Sequence, residues 1–156
     1  MMLVAASSPA LICGEHDVPP RVQTGEVRPD GATTKERPIA LVVDDEHIIA
    51  DTIAQILEMK GFEAVPLYSG RAALQRAWAQ CPNVVITDVV MPDLDGIETA
   101  KRLLEYCPAA KILLISGQAA TTEMMAKARF DGFNFEMLAK PLHPEELLAV
   151  LDRFGF

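Results

Sequence analysis

Five residues capable of chemistry close short apolar runs in this chain. Asp44 and Asp45 follow Ile39–Val43, Asp88 follows Val84–Thr87, Ser116 follows Ile112–Ile115, and Lys140 follows Met137–Ala139. Three carboxylates gathered within a few ångströms repel one another and must either protonate or recruit a cation. A hard divalent ion with oxygen ligands and retained waters, most simply Mg²⁺, satisfies such a set. A carboxylate beside that ion can attack a phosphoryl group and form an aspartyl phosphate, because the metal offsets charge on the attacking and transferred oxygens. Lys140 would then supply a point charge, and Ser116 a hydroxyl donor, to the phosphoryl oxygens. Taken singly, each residue has a plainer reading. Asp44-Asp45-Glu46 suits a helix N-terminus, Lys140 a solvated surface and Ser116 a turn. Their joint occurrence at the ends of strand-like runs favours the chemistry.

The elements that must position them alternate along the chain. From Ile39 onward, apolar runs of four to six residues alternate with longer amphipathic segments, the pattern of a parallel sheet with crossover helices. Strands are expected at Ile39–Val43, Phe62–Leu67, Val84–Thr87, Ile112–Ile115 and around Phe135–Ala139. Pro66 cannot donate to a ladder, so its strand belongs on an edge. The first helix carries Ile49, Ile53, Ile56 and Leu57 at helical spacing until Gly61 stops it. Further helices are expected over Ser69–Gln80, Asp95–Cys107, Ala119–Phe130 and Pro144–Phe154, with Asp95 and Glu98 as a capping pair. Right-handed crossovers then give an α/β, doubly wound, five-stranded parallel sheet of flavodoxin-like order 2-1-3-4-5, with helices on both faces. Ligand crevices of such sheets lie at the carboxyl ends of the strands, where the five residues would meet.

With 156 residues and 50% hydrophobic content, the chain has room for one domain with a real core. A formal net charge of −8 without clustered Lys or Arg argues against nucleic acid as a partner. No run reaches the length of a membrane span, and the opening residues lack the basic start of a secretory signal, so a cytoplasmic protein is expected. Residues 1–37 read as a flexible N-terminal extension, 38–156 as the folded domain, with no output domain after it. Cys13, Cys81 and Cys107 show no metal-type spacing, and their odd number fits reduced thiols rather than a disulfide framework.

The segments Leu41-Val42-Val43-Asp44-Asp45-Glu46, Asp88 to Gly96, Ile115-Ser116-Gly117 and Lys140-Pro141 resemble the four signature blocks of response-regulator receiver domains of two-component systems. The resemblance spans about Ile39 to Phe156. It implies Asp88 as phosphoacceptor, Asp45 and Asp88 as direct Mg²⁺ ligands, Asp44 holding the ion through water, and the Val90 backbone carbonyl as a further ligand. It implies that Lys140 pairs with the phosphoryl group, that Ser116 hydrogen-bonds it, and that Lys140-Pro141 is a cis peptide. The donor it implies is a sensor histidine kinase or histidine phosphotransfer protein, the output a downstream protein target. Such a module is not an enzyme beyond its own phosphorylation and dephosphorylation. A phosphotransfer shuttle is the alternative role. A phosphohydrolase with an aspartyl nucleophile is disfavoured, because Val90 stands where a general acid would be needed.

The match departs from the family near the last strand. Receivers commonly place an aromatic three residues before this lysine, and here that residue is Met137. Phe133 and Phe135 lie just upstream in a stretch that looks one residue longer than usual. They read as core residues of the strand, or as a relocated switch. His47 and His143 stand at helix starts, where surface roles are expected. Met124 and Met125 suit either core packing or a partner face, and Val90 and Gln118 line positions from which side chains can admit or exclude hydrolytic water.

Overall fold

The computed structural model describes residues 35–117 and 121–156. The extension expected over residues 1–37 lies almost wholly outside the described residues, as does the expected start of the fourth helix at Ala119. Ten elements alternate strictly in the described segments: β1 (Ile39–Val43), α1 (His47–Met59), β2 (Glu63–Leu67), α2 (Gly70–Ala79), β3 (Val84–Asp88), α3 (Gly96–Tyr106), β4 (Lys111–Ser116), α4 (Thr121–Phe130), β5 (Glu136–Ala139) and α5 (Pro144–Phe154). The strands are all parallel, in the order β2-β1-β3-β4-β5. Pro66 lies on the edge strand β2, as its missing donor requires.

Strand periodicity divides the core between the two faces of the sheet. Ile39, Leu41 and Val43 of β1 pack with Ala73 and Ala77 of α2, Ile97, Ala100 and Leu103 of α3, and Met125 and Ala128 of α4. Ala40 and Val42 face the other way, against Ala50, Ile53, Ala54 and Leu57 of α1 and Leu147, Val150 and Leu151 of α5. Every residue of β1 and β3 is buried, which explains their unbroken apolar runs. Met125 is buried in the first face and Met124 is partly buried against it, so both belong to packing.

Local sequence sets the ends of the helices. Gly61, at φ +96°, follows α1 in the left-handed region that an L side chain occupies at a cost. Ser69 caps α2 by accepting the Ala72 amide. Asp95 caps α3 by accepting the Glu98 amide at 2.8 Å, but the expected reciprocal box does not close, because the Glu98 carboxylate accepts from Arg102 instead. The start of α3 lies hard against the end of β3. The Gly96 amide donates to Val89 O at 2.9 Å, and a Cβ on Gly96 would stand 2.0 Å from Asp88 O.

Two features differ from the sequence expectations. Cys81 and Cys107 are not free thiols but form a disulfide, with Cα atoms 5.6 Å apart. Consecutive strand–helix units place the ends of α2 and α3 side by side, a proximity that no spacing rule encodes. Phe133 and Phe135 precede β5 rather than belonging to it. They stack at 5.6 Å, with Phe135 buried and Lys101 of α3 lying 5.5 Å from the Phe133 ring centre. Lys101 also pairs with Asp131 at 2.7 Å, so one α3 side chain clasps the whole α4–β5 connection. Met137 is left 43% exposed.

The close approach at Gly96 leaves no room for a methyl group. Gly96→Ala is expected to destabilise the protein by about 1–3 kcal/mol, read as a lower denaturant midpoint at unchanged slope. The clasp predicts a pH effect. The hydrogen bond from Lys101, with the Lys101 and Lys127 charges and against desolvation, holds the Asp131 carboxyl below its ordinary value. A depressed folded-state pKa contributes stability that is present above the unfolded pKa and lost as pH falls through the folded one. Asp131→Asn should therefore lower stability at neutral pH, and the gap to the parent should close on acidification through that carboxyl's range. A gap that persists at acid pH would place the effect elsewhere.

Candidate functional site

Parallel register gathers the five candidate residues at one end of the sheet. Val43 pairs with Thr87, so Asp44 emerges beside Asp88, and the Asp44 amide donates to Leu67 O. Asp88 pairs with Ile115, and Ser116 with Ala139, so Lys140 emerges beside Ser116 and its amide donates to Ser116 O at 2.9 Å. Each side chain is thus aimed by a strand that is anchored on at least one flank. Residues far apart in the chain arrive side by side without a loop having to be ordered for the purpose.

Asp44 is 2% exposed and Asp88 is 7% exposed, while Asp45 lies on the surface. One carboxylate oxygen from each of the three lies within 4.8 Å of the others. The Lys140 ammonium donates to Asp44 Oδ2 at 3.0 Å and to Asp88 Oδ2 at 3.1 Å. Asp44 is not a helix cap. Its Oδ1 accepts the Glu46 amide at 2.9 Å, while Glu46 itself occupies the N-cap of α1 without a side-chain bond. The plainer reading of the acidic triplet as a helix-capping group is therefore set aside.

Charge in this pocket is unbalanced. Burial pushes the Asp88 carboxyl above its ordinary value; the Lys140 ammonium opposes that, and the neighbouring Asp44 adds to it. For Lys140, burial pulls downward, but hydrogen bonds to Asp44 and Asp88 outweigh it and hold the amine charged. Both groups are thus shifted upward, which favours the charged form of the amine and the neutral form of the carboxyl. Both follow from burial of Asp88 beside one ammonium that it shares with Asp44, which secures the cation but does not offset the burial of the Asp88 carboxyl. A closely spaced oxygen set with surplus negative charge is what a hard divalent cation takes. Asp44, Asp45 and Asp88 fit that group by donor chemistry, and the Val90 amide reaches the Asp88 carboxylate from two residues on.

Ser116 is buried, and its hydroxyl hydrogen-bonds that of Thr121, the first residue of α4, itself 2% exposed. Thr121 adjoins the candidate site through this bond, and the sequence pattern does not single it out. A threonine five residues past Ser116 at a helix start is the signal that marks it. The Lys140–Pro141 peptide is cis. Val90 is 44% exposed at the mouth of the pocket, and Gln118 lies outside the described residues. His47 stacks on Tyr68 with ring centres 3.7 Å apart, and the Tyr68 hydroxyl donates to Asp51. His143 precedes α5 without a capping bond from its side chain. Both histidines hold the surface roles expected of them.

Asp93, in the loop after Asp88, takes a positive φ of 72° and pairs with Arg71 of α2 at 2.6 Å, an ion pair that the sequence does not announce. Among the described residues, no helix is long and apolar enough to cross a membrane.

Comparison with known proteins agrees with this geometry. Residues 40–152 match the model of the response regulator receiver domain. The chain is 31% identical to the transcriptional regulatory protein CreB of Escherichia coli over 73% of its own length and 49% of that protein's. It is 30% identical to the response regulator receiver protein CpdR of Brucella abortus, over 72% of this chain and 92% of that one. The chain spans about half the length of the first curated relatives it matches. The crystal structure of the chemotaxis protein CheY4 of Vibrio cholerae superposes with a TM-score of 0.68 at 28% identity, covering 76% of this chain and 99% of that chain. Four strand ends, one fold and one family model thus coincide, and the chain belongs to the response regulator receiver domains, the phosphoryl-accepting signalling modules of two-component systems.

Proposed function

We propose that Asp88 accepts a phosphoryl group from a phosphohistidine donor, and that the phosphorylated protein binds a downstream protein differently from the free one. The observation that carries this reading is the Lys140 ammonium within hydrogen-bond distance of both Asp44 and Asp88 at the convergence of three strand ends. Asp88 Oδ would attack phosphorus, the bond from phosphorus to the donor's imidazole nitrogen would break, and the imidazole would leave. Lys140 would exchange its hydrogen bond with Asp88 for one with a phosphoryl oxygen, and the Ser116 hydroxyl would turn from Thr121 toward another. Asp44, Asp45, Asp88 and the Val90 carbonyl would hold Mg²⁺, which when bound neutralises charge on the reacting oxygens.

Two surfaces support the division into donor and target sides. An apolar groove of about 600 Å³ runs from α1 to the start of α5, lined by Ile49, Ile53, Ile56, Pro141 and Leu142, and reaches Lys140. Ile48 stands at its rim, 81% exposed. A helical donor seated there would bring its histidine to the acidic pocket. On the other side, a groove of about 540 Å³ between α4 and β5 includes Met137 and Arg129, with Phe130 exposed nearby. The Ser116–Thr121 hydrogen bond joins the phosphoryl pocket to the first residue of α4. Release of that bond on phosphorylation would therefore be felt on that face. Regulation of a target is preferred over a shuttle role on this connection.

Incubation of the full chain with Mg²⁺ and acetyl phosphate should add one phosphoryl group at Asp88, located by peptide mass, and none in Asp88→Asn or in chelator. Ser116→Ala should slow labelling by about 10²-fold, the loss seen when one preorganised donor is removed. Labelling of Asp88→Asn at the parent's rate would overturn the assignment. Ile48→Glu tests the donor surface separately. Transfer from a histidine-phosphorylated donor should fall by at least about 10-fold, a loss of roughly 1.4 kcal/mol, while labelling by acetyl phosphate is unchanged. Equal loss with both donors would place Ile48 in folding rather than docking.

A further inference from the structure

At the opposite end of the sheet from the acidic pocket lies a second group with chemistry of its own. Cys81 follows the end of α2 just before β3, and Cys107 caps α3 just before β4. Their disulfide therefore sits at the starts of the strands that end in Asp88 and Ser116, separated from them by a strand length of about 15 Å. The phosphoryl chemistry does not use it.

The surroundings of the two sulfurs suit both oxidation states. Cys81 Sγ lies 3.6 Å from Tyr106 O and Cys107 Sγ 3.7 Å from Ala77 O, each facing a carbonyl of the partner helix. As thiols, both would thus have acceptors within reach, and opening the bridge would strand no buried S–H. The Cα separation of 5.6 Å is within the range a disulfide needs. Interactions other than the bridge maintain it. The Tyr106 hydroxyl donates to Leu74 O across the helices, Trp78 meets the Tyr106 ring edge-on at 5.4 Å, and the Asn83 amide and side chain tie the chain after Cys81 to Ile39. Close to the other end of the seam, α2 and α3 touch at Gly70 and Thr99, where a Cβ would stand 2.2 Å from Thr99 Oγ1. A preformed site of this kind closes and opens without rearranging the fold. Access is unequal, since Cys107 is 3% exposed whereas Cys81 is only partly buried.

We propose that Cys81 and Cys107 form a redox-active pair that exchanges with low-molecular-weight thiols and disulfides and so couples the stability of the α2–α3 seam to the ambient thiol–disulfide poise. In the reducing direction, an external thiolate attacks Cys81 Sγ, the bond to Cys107 Sγ breaks, and Cys107 leaves as a thiolate that takes up a proton. A second external thiolate attacks the external sulfur of the mixed disulfide and releases Cys81. Two external thiols become one disulfide, and the protein disulfide becomes two thiols. The oxidising direction is the reverse, with a low-molecular-weight disulfide as oxidant. Closing the bridge ties a 26-residue separation and restricts the unfolded chain. Its effect falls on stability and not on the acidic pocket.

The full chain is equilibrated in buffers of graded glutathione to glutathione-disulfide ratio, quenched in acid, and alkylated under denaturing conditions. Cys13 can take up glutathione and is counted separately, so Cys81 and Cys107 together should carry no alkyl group at the oxidising end and two at the reducing end, because the chain has 3 cysteines and these two pair. Peptide mapping should assign the change to Cys81 and Cys107. Reduction should raise the unfolding equilibrium constant by about 10²-fold, while Cys81→Ser and Cys107→Ser should show the reduced value in every buffer. Labelling of Asp88 by acetyl phosphate should proceed alike in both states. Three free thiols throughout, a bridge that resists reduction in the folded protein, a reduced chain that does not fold, or glutathione held at Cys81 without pairing to Cys107 would each overturn the proposal.

Discussion

Two carboxylates, Asp44 and Asp88, are held almost out of water beside one another, and the rest of the structure answers to that. Like charges in such a place cost free energy unless a cation stands with them. Parallel register supplies one by bringing Lys140 in on the neighbouring side of β4, where its ammonium spans both acids. One positive charge does not balance two buried negative ones and a third at the surface, and a surplus of that kind on closely spaced oxygens suits a hard divalent cation. On the proposed function, a phosphoryl group at Asp88 would draw on the same ammonium that Asp44 uses.

Much of this is readable in the chain because the fold converts sequence pattern to position by simple rules. Five apolar runs separated by helical segments leave few topologies, and Pro66 marks which strand is at an edge. Given that order, the residue after each run lands at the same end of the sheet. What the pattern does not carry are distances between elements that are not neighbours in the ladder. Cys81 and Cys107 meet because α2 and α3 end side by side, and the sequence marks the two places only by setting Cys81-Pro82 and Cys107-Pro108 at equivalent points of two successive strand–helix units. Thr121 acquires its place from the hydroxyl it meets, and Glu98 is drawn from its expected capping role by Arg102, a competitor one helical turn away.

The stretch before β5 shows how an apparent irregularity is absorbed. Phe133 and Phe135 stack ahead of the strand, with Lys101 beneath one ring and bound to Asp131 at the end of α4. This arrangement buries the aromatic surface on the α3 side. Met137 then stands outward with no ring to swing between sites. Whatever change reaches this face has a flexible thioether to work with in place of a rigid aromatic, and such side chains adapt to differently shaped surfaces.

The burial of the strands is greatest at the centre of the sheet and falls toward both edges. All residues of β1 and β3 are enclosed, whereas three of the four residues of β5 are exposed. Asp44 and Asp88 therefore stand at the ends of enclosed strands and Lys140 at the end of an edge strand. Of the two less covered edges of the sheet, β5 is thus the one that adjoins the acidic pocket directly, through the lysine that follows it.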